Sequence, residues 1–187
     1  RWYWCGVFGE LYGSASETRI ALDLRDLMAW IESPMASEPK TIVDAGFQPS
    51  RLDTMRTRTS AAYRGLYVLV QQQGAKDFFY KLPILSIDRN ERGVEIHHIF
   101  PKVWCETQQI PPKIYNSIVN KTAISLKANR KIGGNAPSEY LSAIQAEKTV
   151  QLNDAEMDEI LVSHSIRPDL MRADKFSEYY EARKAKL

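Results

Sequence analysis

The stretch 93–101, GVEIHHIFP, decides how the middle of the chain folds. Its apolar residues Val94 and Ile96 alternate with polar neighbours, which is the period-two pattern of a half-buried strand. Further along, the stretch 117–126, SIVNKTAISL, is rich in β-branched residues and predicts a second strand. A polar segment follows it. We therefore expect the order strand, long loop, strand and then helix.

Two of the three histidines in the chain, His97 and His98, are neighbours in this first strand. Adjacent side chains of a regular strand point to opposite faces, so the pair could not both reach one site from within it. Pro101 cannot donate to a sheet ladder, and it disfavours helix in the residue before it. We therefore expect the strand to end at the two histidines.

Outside this middle part the hydrophobic pattern has helical spacing, which predicts an α+β fold that is mostly helical. Helices are predicted over 13–33, 60–74, 137–147, 153–164 and 174–187. Ser14 and Glu17 form a capping-box pattern, and Asn153 and Asp174 are the expected N-caps of the last two helices. The first helix has its apolar residues on one face: Ile20, Leu24, Leu27, Met28 and Ile31.

Length, charge and cysteine content limit the classes of protein that fit. At 187 residues, against roughly 150 per domain, one domain with a real core is expected. The net charge of +2 gives no global basic field, and Cys5 and Cys105 are too far apart for a zinc-finger pattern. No run of about 18 apolar residues occurs, so we expect a soluble, cytoplasmic protein with no membrane partner. The chain begins at Arg1 without methionine, which suggests a fragment of a longer protein.

The spacing of polar residues in the middle part resembles a known motif. His97 and His98 at a strand end, Asn120 at the next strand and Asn129 nine residues later resemble the H-N-N form of the HNH nuclease motif. Three stretches of the chain are similar in sequence to the C-terminal half of GmrSD-type modification-dependent restriction proteins, including their phosphorothioate-sensing SspE-type relatives. These stretches are HHIFPK, SIVNKTAISLKANRKIGGNAPSEYL and RWYWCGVFGELYGSASETR.

The resemblance implies an architecture and a partner. The fold would be a mostly helical domain, with helical elements at 1–91 and 149–187, into which a ββα-metal (HNH) finger is inserted at about 92–148. In that family a separate N-terminal domain, ParB-like and nucleotide-hydrolysing, senses modified DNA. This chain has no such region, so it would be the nuclease half of an antiviral defence protein, and an oligomer is possible.

The resemblance also implies roles for four residues. His98 matches the general base, His97 the first metal ligand, Asn129 the second ligand and Asn120 the asparagine that orients the loop. The implied cofactor is one divalent ion, magnesium or manganese. Many HNH proteins have aspartate where His97 stands, and an imidazole ligand makes nickel, cobalt or zinc further possibilities.

The function implied is a metal-dependent DNA endonuclease that nicks DNA and leaves 5′-phosphate ends. An imidazole with a pKa of about 6.5 can take the proton of the attacking water, and a cation can neutralise the growing charge on the phosphate. Two alternatives stay open. The chain could be a non-catalytic DNA-binding or regulatory module that keeps the finger as a scaffold, or it could cleave RNA.

Basic residues beside the motif are expected to contact DNA phosphates: Lys102, Lys121, Arg130 and Lys131. The RTR group that contains Arg56 and Arg58 is expected to be a solvated surface instead. Glu95 should point to solvent by strand alternation. His164 follows a helical apolar spacing near a helix end and is expected to be structural, as a cation suited to the helix dipole.

Overall fold

The computed structural model describes residues 2–9, 16–33, 35–46, 48–88 and 93–187. Its helices are, in chain order, Trp2–Gly9 (α1), Ser16–Glu32 (α2), Lys40–Asp44 (α3), Arg51–Thr54 (α4), Ala61–Gln72 (α5), Lys102–Thr107 (α6), Pro112–Tyr115 (α7), Leu126–Ile132 (α8), Pro137–Gln145 (α9), Asp154–Ser163 (α10), Pro168–Arg172 (α11) and Phe176–Lys184 (α12). Short 3₁₀ turns lie at Ile84–Ser86 and Ile118–Asn120. Within the described ranges, no helix is long and apolar enough to cross a membrane.

Two antiparallel strands form the sheet of the described residues: Val94–His98 (β1) and Lys121–Ser125 (β2). Their register pairs Val94 with Ser125 and His98 with Lys121. The mostly helical α+β prediction is confirmed. A two-stranded sheet is marginal by itself in water, so its stability depends on the helices that pack on it.

Helix α8 follows β2 directly and packs on both strands. Its N-cap is Ser125, whose hydroxyl accepts from the Ala128 N–H at 3.2 Å. The buried carboxylate of Asp77 accepts from the Ser125 N–H at 2.6 Å. Gly93 has φ +58°, and a Cβ there would lie 2.5 Å from Cδ1 of Leu126. Glycine is therefore needed where α8 meets the start of β1.

Helices α4 and α5, strand β2 and the C-terminal helices all contribute to the main core, which also includes the residues just after β1. Phe100 is completely buried, with ring centroids 4.7 Å from Tyr179 and 5.2 Å from Phe176 on α12. It also packs 5.1 Å from Trp104 on α6. Burial of an aromatic ring of this size contributes about 1.5–3 kcal/mol. The residues that follow the two histidines are therefore fixed.

The N-terminal helices differ from expectation in which residues they bury. Helix α2 is present, but its apolar stripe is exposed rather than buried, at 56% for Leu24 and 68% for Ile31. The residue that α2 does bury is Asp23, whose carboxylate accepts from the Thr41 N–H at 3.2 Å. The predicted cap of this helix at Ser14 lies outside the described residues.

The region between the strands also differs from the predicted long loop. It contains the short helices α6 and α7, which the sequence pattern did not predict. The stretch 118–120, predicted as the beginning of the second strand, is a 3₁₀ turn because side chains take up its carbonyl groups in place of a ladder.

The three predicted helices at the C-terminal end of the chain are present as α9, α10 and α12. Asn153 caps α10 in a complete capping box with Glu156, as predicted for this N-cap. The predicted cap Asp174 is wrong, because its backbone has φ +53° and its carboxylate accepts from the Ser138 N–H at 2.9 Å. Helix α12 begins after Lys175.

Candidate active site

His97 lies in β1, half-buried, with Nδ1 3.1 Å from the carbonyl oxygen of His98. A carbonyl can only accept, so Nδ1 donates and Nε2 keeps its lone pair. Burial lowers the pKa of His97, which keeps the ring neutral at pH 7. A neutral imidazole whose other nitrogen donates to a carbonyl is the usual form of a metal ligand.

His98 ends β1, and its Nε2 lies 3.0 Å from Oδ1 of Asn116. The amide oxygen accepts, so Nε2 donates and the lone pair is on Nδ1. Burial is the main cause that lowers the pKa of His98 to about 4; the Asn116 hydrogen bond opposes this shift, and the charge of Lys121 adds to it. His98 is therefore neutral at pH 7 and can accept a proton at Nδ1.

The expectation that the strand ends at the two histidines is confirmed, because β1 includes both residues and ends at His98. Their ring centroids are 6.1 Å apart and their planes differ by 84°. The two rings have different hydrogen-bond partners, which suits them to different tasks.

Asn120 is completely buried, and its side chain forms hydrogen bonds to both ends of the segment from Phe100 to Tyr115. Its Oδ1 accepts from the Phe100 N–H at 2.9 Å. Its Nδ2 donates to the carbonyl of Phe100 at 2.9 Å and to that of Tyr115 at 3.1 Å. Asn120 ends the 3₁₀ turn directly before β2 rather than beginning the strand.

Helix α12 packs against this turn and donates hydrogen bonds to its backbone. The Tyr179 hydroxyl donates to the carbonyl of Val119 at 3.0 Å. The buried guanidinium of Arg183 donates to the carbonyl of Lys121 at 3.0 Å. These bonds satisfy carbonyl groups that are outside the sheet ladder, so the backbone beside Asn120 has a fixed conformation.

Asn129 is the fourth residue of α8, within its first turn. Its side chain is half-buried and makes no hydrogen bond to the part of the chain that the structure describes. The alternative that Asn129 is an N-cap is wrong, since Ser125 caps α8 and Ala136 precedes α9. Its amide oxygen is available to a ligand.

Two of the predicted ligands carry atoms of the kind that can bind a divalent ion. His97 offers Nε2 and Asn129 offers an amide oxygen. No group of three or more histidine, cysteine, aspartate or glutamate residues that could hold a metal occurs among residues 2–9, 16–33, 35–46, 48–88 and 93–187. Ions of the magnesium and manganese type are commonly bound by few protein ligands together with water and substrate phosphate.

The four residues expected to contact DNA differ in their accessibility. Lys102 pairs with Glu106 on the surface at 3.7 Å, and Lys131 pairs with Glu147. Arg130 is exposed and has no ion pair within the described residues. Lys121 is buried, at 8% exposure, and burial lowers its pKa. The DNA contacts of these four residues stay predictions.

Two residues near the histidines had no signal in the sequence. Asn116 positions His98, and it lies in the interstrand segment whose fold the pattern did not predict. Arg58, assigned to a solvated surface, donates from Nη2 to the carbonyl of Ile96 at 2.9 Å. Its charge contributes to the lowered pKa of both histidines. Only the tertiary fold brings this arginine to β1.

His164 and Glu95 take the places expected of them. Glu95 is exposed on β1. His164 is completely buried, with Nδ1 2.6 Å from the Thr122 hydroxyl and Nε2 2.6 Å from the carbonyl of Lys76. Nε2 donates and Nδ1 accepts, so the ring is neutral and structural. The expected cation at the helix end is wrong, because burial lowers the pKa of His164 to about 4.

We expect His164 to make the protein less stable in acid. An unfolded histidine binds a proton near pH 6.5, and folded His164 binds one only near pH 4, so the unfolded state takes up more protons between these values. The free energy of unfolding should therefore fall through this window, by up to about 3 kcal/mol. Urea denaturation from pH 7 to pH 4 measures the fall.

His164→Asn is the comparison for this measurement. The variant should be less stable at pH 7, because asparagine cannot replace both hydrogen bonds, and its stability should vary less with pH. His97 and His98 are retained in both proteins, so the difference in slope isolates His164. Equal slopes in the two proteins would contradict the prediction.

Comparison with known proteins finds one similar sequence. Over 179 residues, 91% of this chain, it is 29% identical to "Uncharacterized protein MJ0686" of Methanocaldococcus jannaschii. The chain spans about 30% of the length of that relative. No protein-family model matches the chain, and no solved structure matches it significantly.

Proposed function

We propose that this chain is a metal-dependent endonuclease domain of the HNH type, which nicks DNA. The observation that supports this best is the pair of neutral imidazoles on β1. In each ring one nitrogen forms a hydrogen bond to the protein, and the other nitrogen has a lone pair that no described residue engages. Strand β1, the 3₁₀ turn, strand β2 and helix α8 surround the two histidines. Asn120 forms buried hydrogen bonds in the turn, and Asn129 lies in the first turn of α8. The order of these elements supports the proposal of a ββα-metal finger.

His98 would be the general base. Nδ1 takes a proton from water as the water oxygen forms a bond to phosphorus, and the bond between phosphorus and the 3′ oxygen breaks. The 3′ oxygen takes a proton from solvent, so the products are a 5′-phosphate and a 3′-hydroxyl. Asn116 holds the imidazole so that Nδ1, rather than Nε2, is the basic nitrogen.

His97 and Asn129 would hold the divalent ion. When bound, that ion neutralises negative charge on the phosphate and on the departing oxygen. The protein contributes the orientation of the His97 ring, which the backbone carbonyl of His98 fixes. Asn129 adds an oxygen without adding charge, which leaves the ion electrophilic.

The biological role we propose is antiviral restriction in the cytoplasm. The basic residues near the site can contact phosphates, and such contacts give affinity without sequence information. Target choice would then belong to a separate N-terminal, nucleotide-hydrolysing domain that senses modified DNA.

A plasmid assay with a panel of divalent metals tests this proposal. We expect supercoiled plasmid to become open circles, and manganese or another late divalent ion to support nicking at least as well as magnesium, because His97 supplies nitrogen where oxygen is common. His98→Ala prepared in parallel controls for contaminating nuclease.

The same assay decides among the alternatives. Binding of DNA without cleavage in every metal would favour the non-catalytic module and overturn the proposal. Cleavage of RNA alone would replace DNA as the substrate. Nicking confined to magnesium would contradict the assignment of His97 as a ligand.

A further inference from the structure

A buried carboxylate from the N-terminal half of the chain contacts the junction between β2 and α8. Asp77 is completely buried, and it lies between α5 and the 3₁₀ turn at Ile84–Ser86. Its Oδ2 accepts from the Ser125 N–H at 2.6 Å, and its Oδ1 accepts from the Ser125 hydroxyl at 3.1 Å. Both donor groups of Ser125 are therefore bonded to one side chain.

The bond to the hydroxyl determines how Ser125 caps α8. A hydroxyl has one proton, and that of Ser125 goes to Asp77, so the hydroxyl oxygen is left as an acceptor. It accepts from the Ala128 N–H at 3.2 Å. Ala128 is completely buried, and Asn129 is the next residue. Two successive hydrogen bonds thus connect Asp77 to the turn of α8 that carries Asn129.

The turn that carries Asp77 is itself fixed to the protein. Oδ1 of Asp77 also accepts from the N–H groups of Phe79 and Tyr80, at 2.9 and 2.8 Å. The carbonyl of the preceding Lys76 accepts from Nε2 of His164, which directly follows α10, at 2.6 Å. Asp77 is therefore held from two sides and can serve as a fixed point for α8.

A second contact joins the same turn to α8. Nζ of Lys127 lies 4.2 Å from the centroid of the Phe79 ring. A cation at this distance is attracted to the face of an aromatic ring. Ser125 and Lys127 flank Leu126, the first residue of α8, so the turn contacts the beginning of the helix on both sides of that residue.

We propose that Asp77 is a positioning residue of the ion site. It holds the first turn of α8, so that Asn129 keeps its place beside the ion that Asn129 and His97 would bind. This inference rests on the proposed function, which supplies the ion. Asp77 would contact neither ion nor substrate, and removal of such an outer partner typically lowers metal affinity by about 10–100-fold.

Asp77→Asn is the variant that breaks the bond to the helix and keeps the turn. The amide oxygen can take the place of Oδ1, which accepts from two N–H groups of the turn and from the Ser125 hydroxyl. The amide nitrogen then replaces Oδ2 and faces the Ser125 N–H. Two donors meet there, so the hydrogen bond to the Ser125 backbone is lost.

Calorimetric titration of manganese tests the proposal. We expect Asp77→Asn to weaken manganese binding about 10-fold or more. Asp174→Ala is the matched control, because Asp174 holds the first turn of α9 in the same way, accepting from the Ser138 N–H at 2.9 Å and its hydroxyl at 2.6 Å. Helix α9 packs on α8 but carries no residue of the proposed site.

The control variant should change manganese binding less than about 3-fold. Equal losses in Asp77→Asn and Asp174→Ala would mean that loosening any neighbouring helix weakens binding. That result would overturn the proposal.

Hydrogen exchange in the metal-free protein gives a measurement that does not depend on the ion. By NMR, the amides of Ser125, Ala128 and Asn129 should exchange about 10-fold faster in Asp77→Asn than in the wild type, because the beginning of α8 opens locally. The amides of α12 are the internal reference and should change less. A uniform increase along the chain would mean that Asp77 acts only on global stability, and would overturn the proposal.

Ser125→Ala covers the case in which Asp77→Asn does not fold. It removes the hydroxyl that connects Asp77 to the Ala128 N–H, and it keeps the bond between the Ser125 backbone and Asp77. Manganese binding should weaken and exchange at the beginning of α8 should become faster, as in Asp77→Asn. An unchanged manganese affinity in this variant would count against the proposal and overturn it.

The outcome can be separated from that of the proposed function. Manganese binding that depends on Asp77, in a protein that nicks no nucleic acid, would support this inference and overturn the nuclease. Nicking by the wild type, with manganese binding unchanged in Asp77→Asn, would overturn this inference alone. A wild type that binds no divalent ion would overturn both.

Discussion

His98→Ala is expected to lower the rate of plasmid nicking by about 10²–10⁴-fold, the usual contribution of a general base. Binding of metal and of DNA should be nearly unchanged, because Nδ1 of His98 contacts water rather than the ion in the proposed mechanism. The variant should fold, since the His98 ring is half-buried at the end of β1 and not within the core.

His97→Ala is expected to fail in a different way. Loss of the proposed ligand should weaken metal binding, so that activity returns in part at high metal concentration. His97→Asp restores an oxygen ligand of the kind many HNH proteins use, and it should keep activity with a shift toward magnesium.

Calorimetric metal titration and plasmid nicking on the three variants separate the two roles. Glu95→Gln is the matched control, because Glu95 is an exposed residue of the same strand. If His98→Ala lost the metal while His97→Ala kept it, the assignment of base and ligand would be reversed. If His98→Ala nicked plasmid at the wild-type rate, His98 would not be the base.

The sequence predicted the elements around the site because their signals are local. Alternation marks β1, β-branched residues mark β2, and the N-cap Asn153 marks α10. Each of these patterns depends on neighbours within a few residues. The α+β class follows from the order of such elements, without knowledge of how they pack.

The environment of the site could not be predicted in the same way. Arg58 and Ile96 are 38 residues apart, and Asn116 and His98 are separated by 18 residues that include the unpredicted helices α6 and α7. Contacts at such separations depend on tertiary packing, and the hydrophobic periodicity of the sequence carries no information about them. The burial of Lys121 is a further example, because a lysine next to a motif is ordinarily read as exposed.

Helix α2 was predicted correctly from its local pattern, but its apolar face does not pack into the core as that pattern suggests. Its apolar spacing predicted the helix, yet Ile20, Leu24 and Met28 are all more than two-fifths exposed. The helix instead buries Asp23 against α3 through the Thr41 hydrogen bonds. Periodicity identifies a helix and its apolar face, but it does not determine what covers that face.

The second large effect is expected at Asn120, whose side chain makes three hydrogen bonds to buried backbone groups. Asn120→Asp keeps the acceptor for the Phe100 N–H but loses both donated bonds. It also sets a carboxylate against the carbonyls of Phe100 and Tyr115. Leaving buried groups unsatisfied costs about 1–3 kcal/mol each, so we expect a loss of about 2–5 kcal/mol at pH 7.

The loss of stability caused by Asn120→Asp should become smaller as the pH falls. Burial and the two carbonyls favour the neutral carboxyl, so the pKa of the new aspartate should be higher in the folded state than in the unfolded state. The folded variant then binds more protons, and its deficit relative to the wild type should shrink as pH falls from 7 to 5. Comparing both proteins at each pH removes the contribution of His164.

Asn129→Asp makes the same chemical change where no hydrogen bond to a described residue is lost. Its stability without metal should change by less than about 1 kcal/mol, as is usual for partly exposed positions. Urea denaturation of both variants measures the difference. Nicking by Asn120→Asp should also fall, because the segment from Phe100 to Tyr115 is no longer tied at both ends and Asn116 no longer holds His98. Equal stability of the two variants would show that the Asn120 hydrogen bonds do not maintain the site.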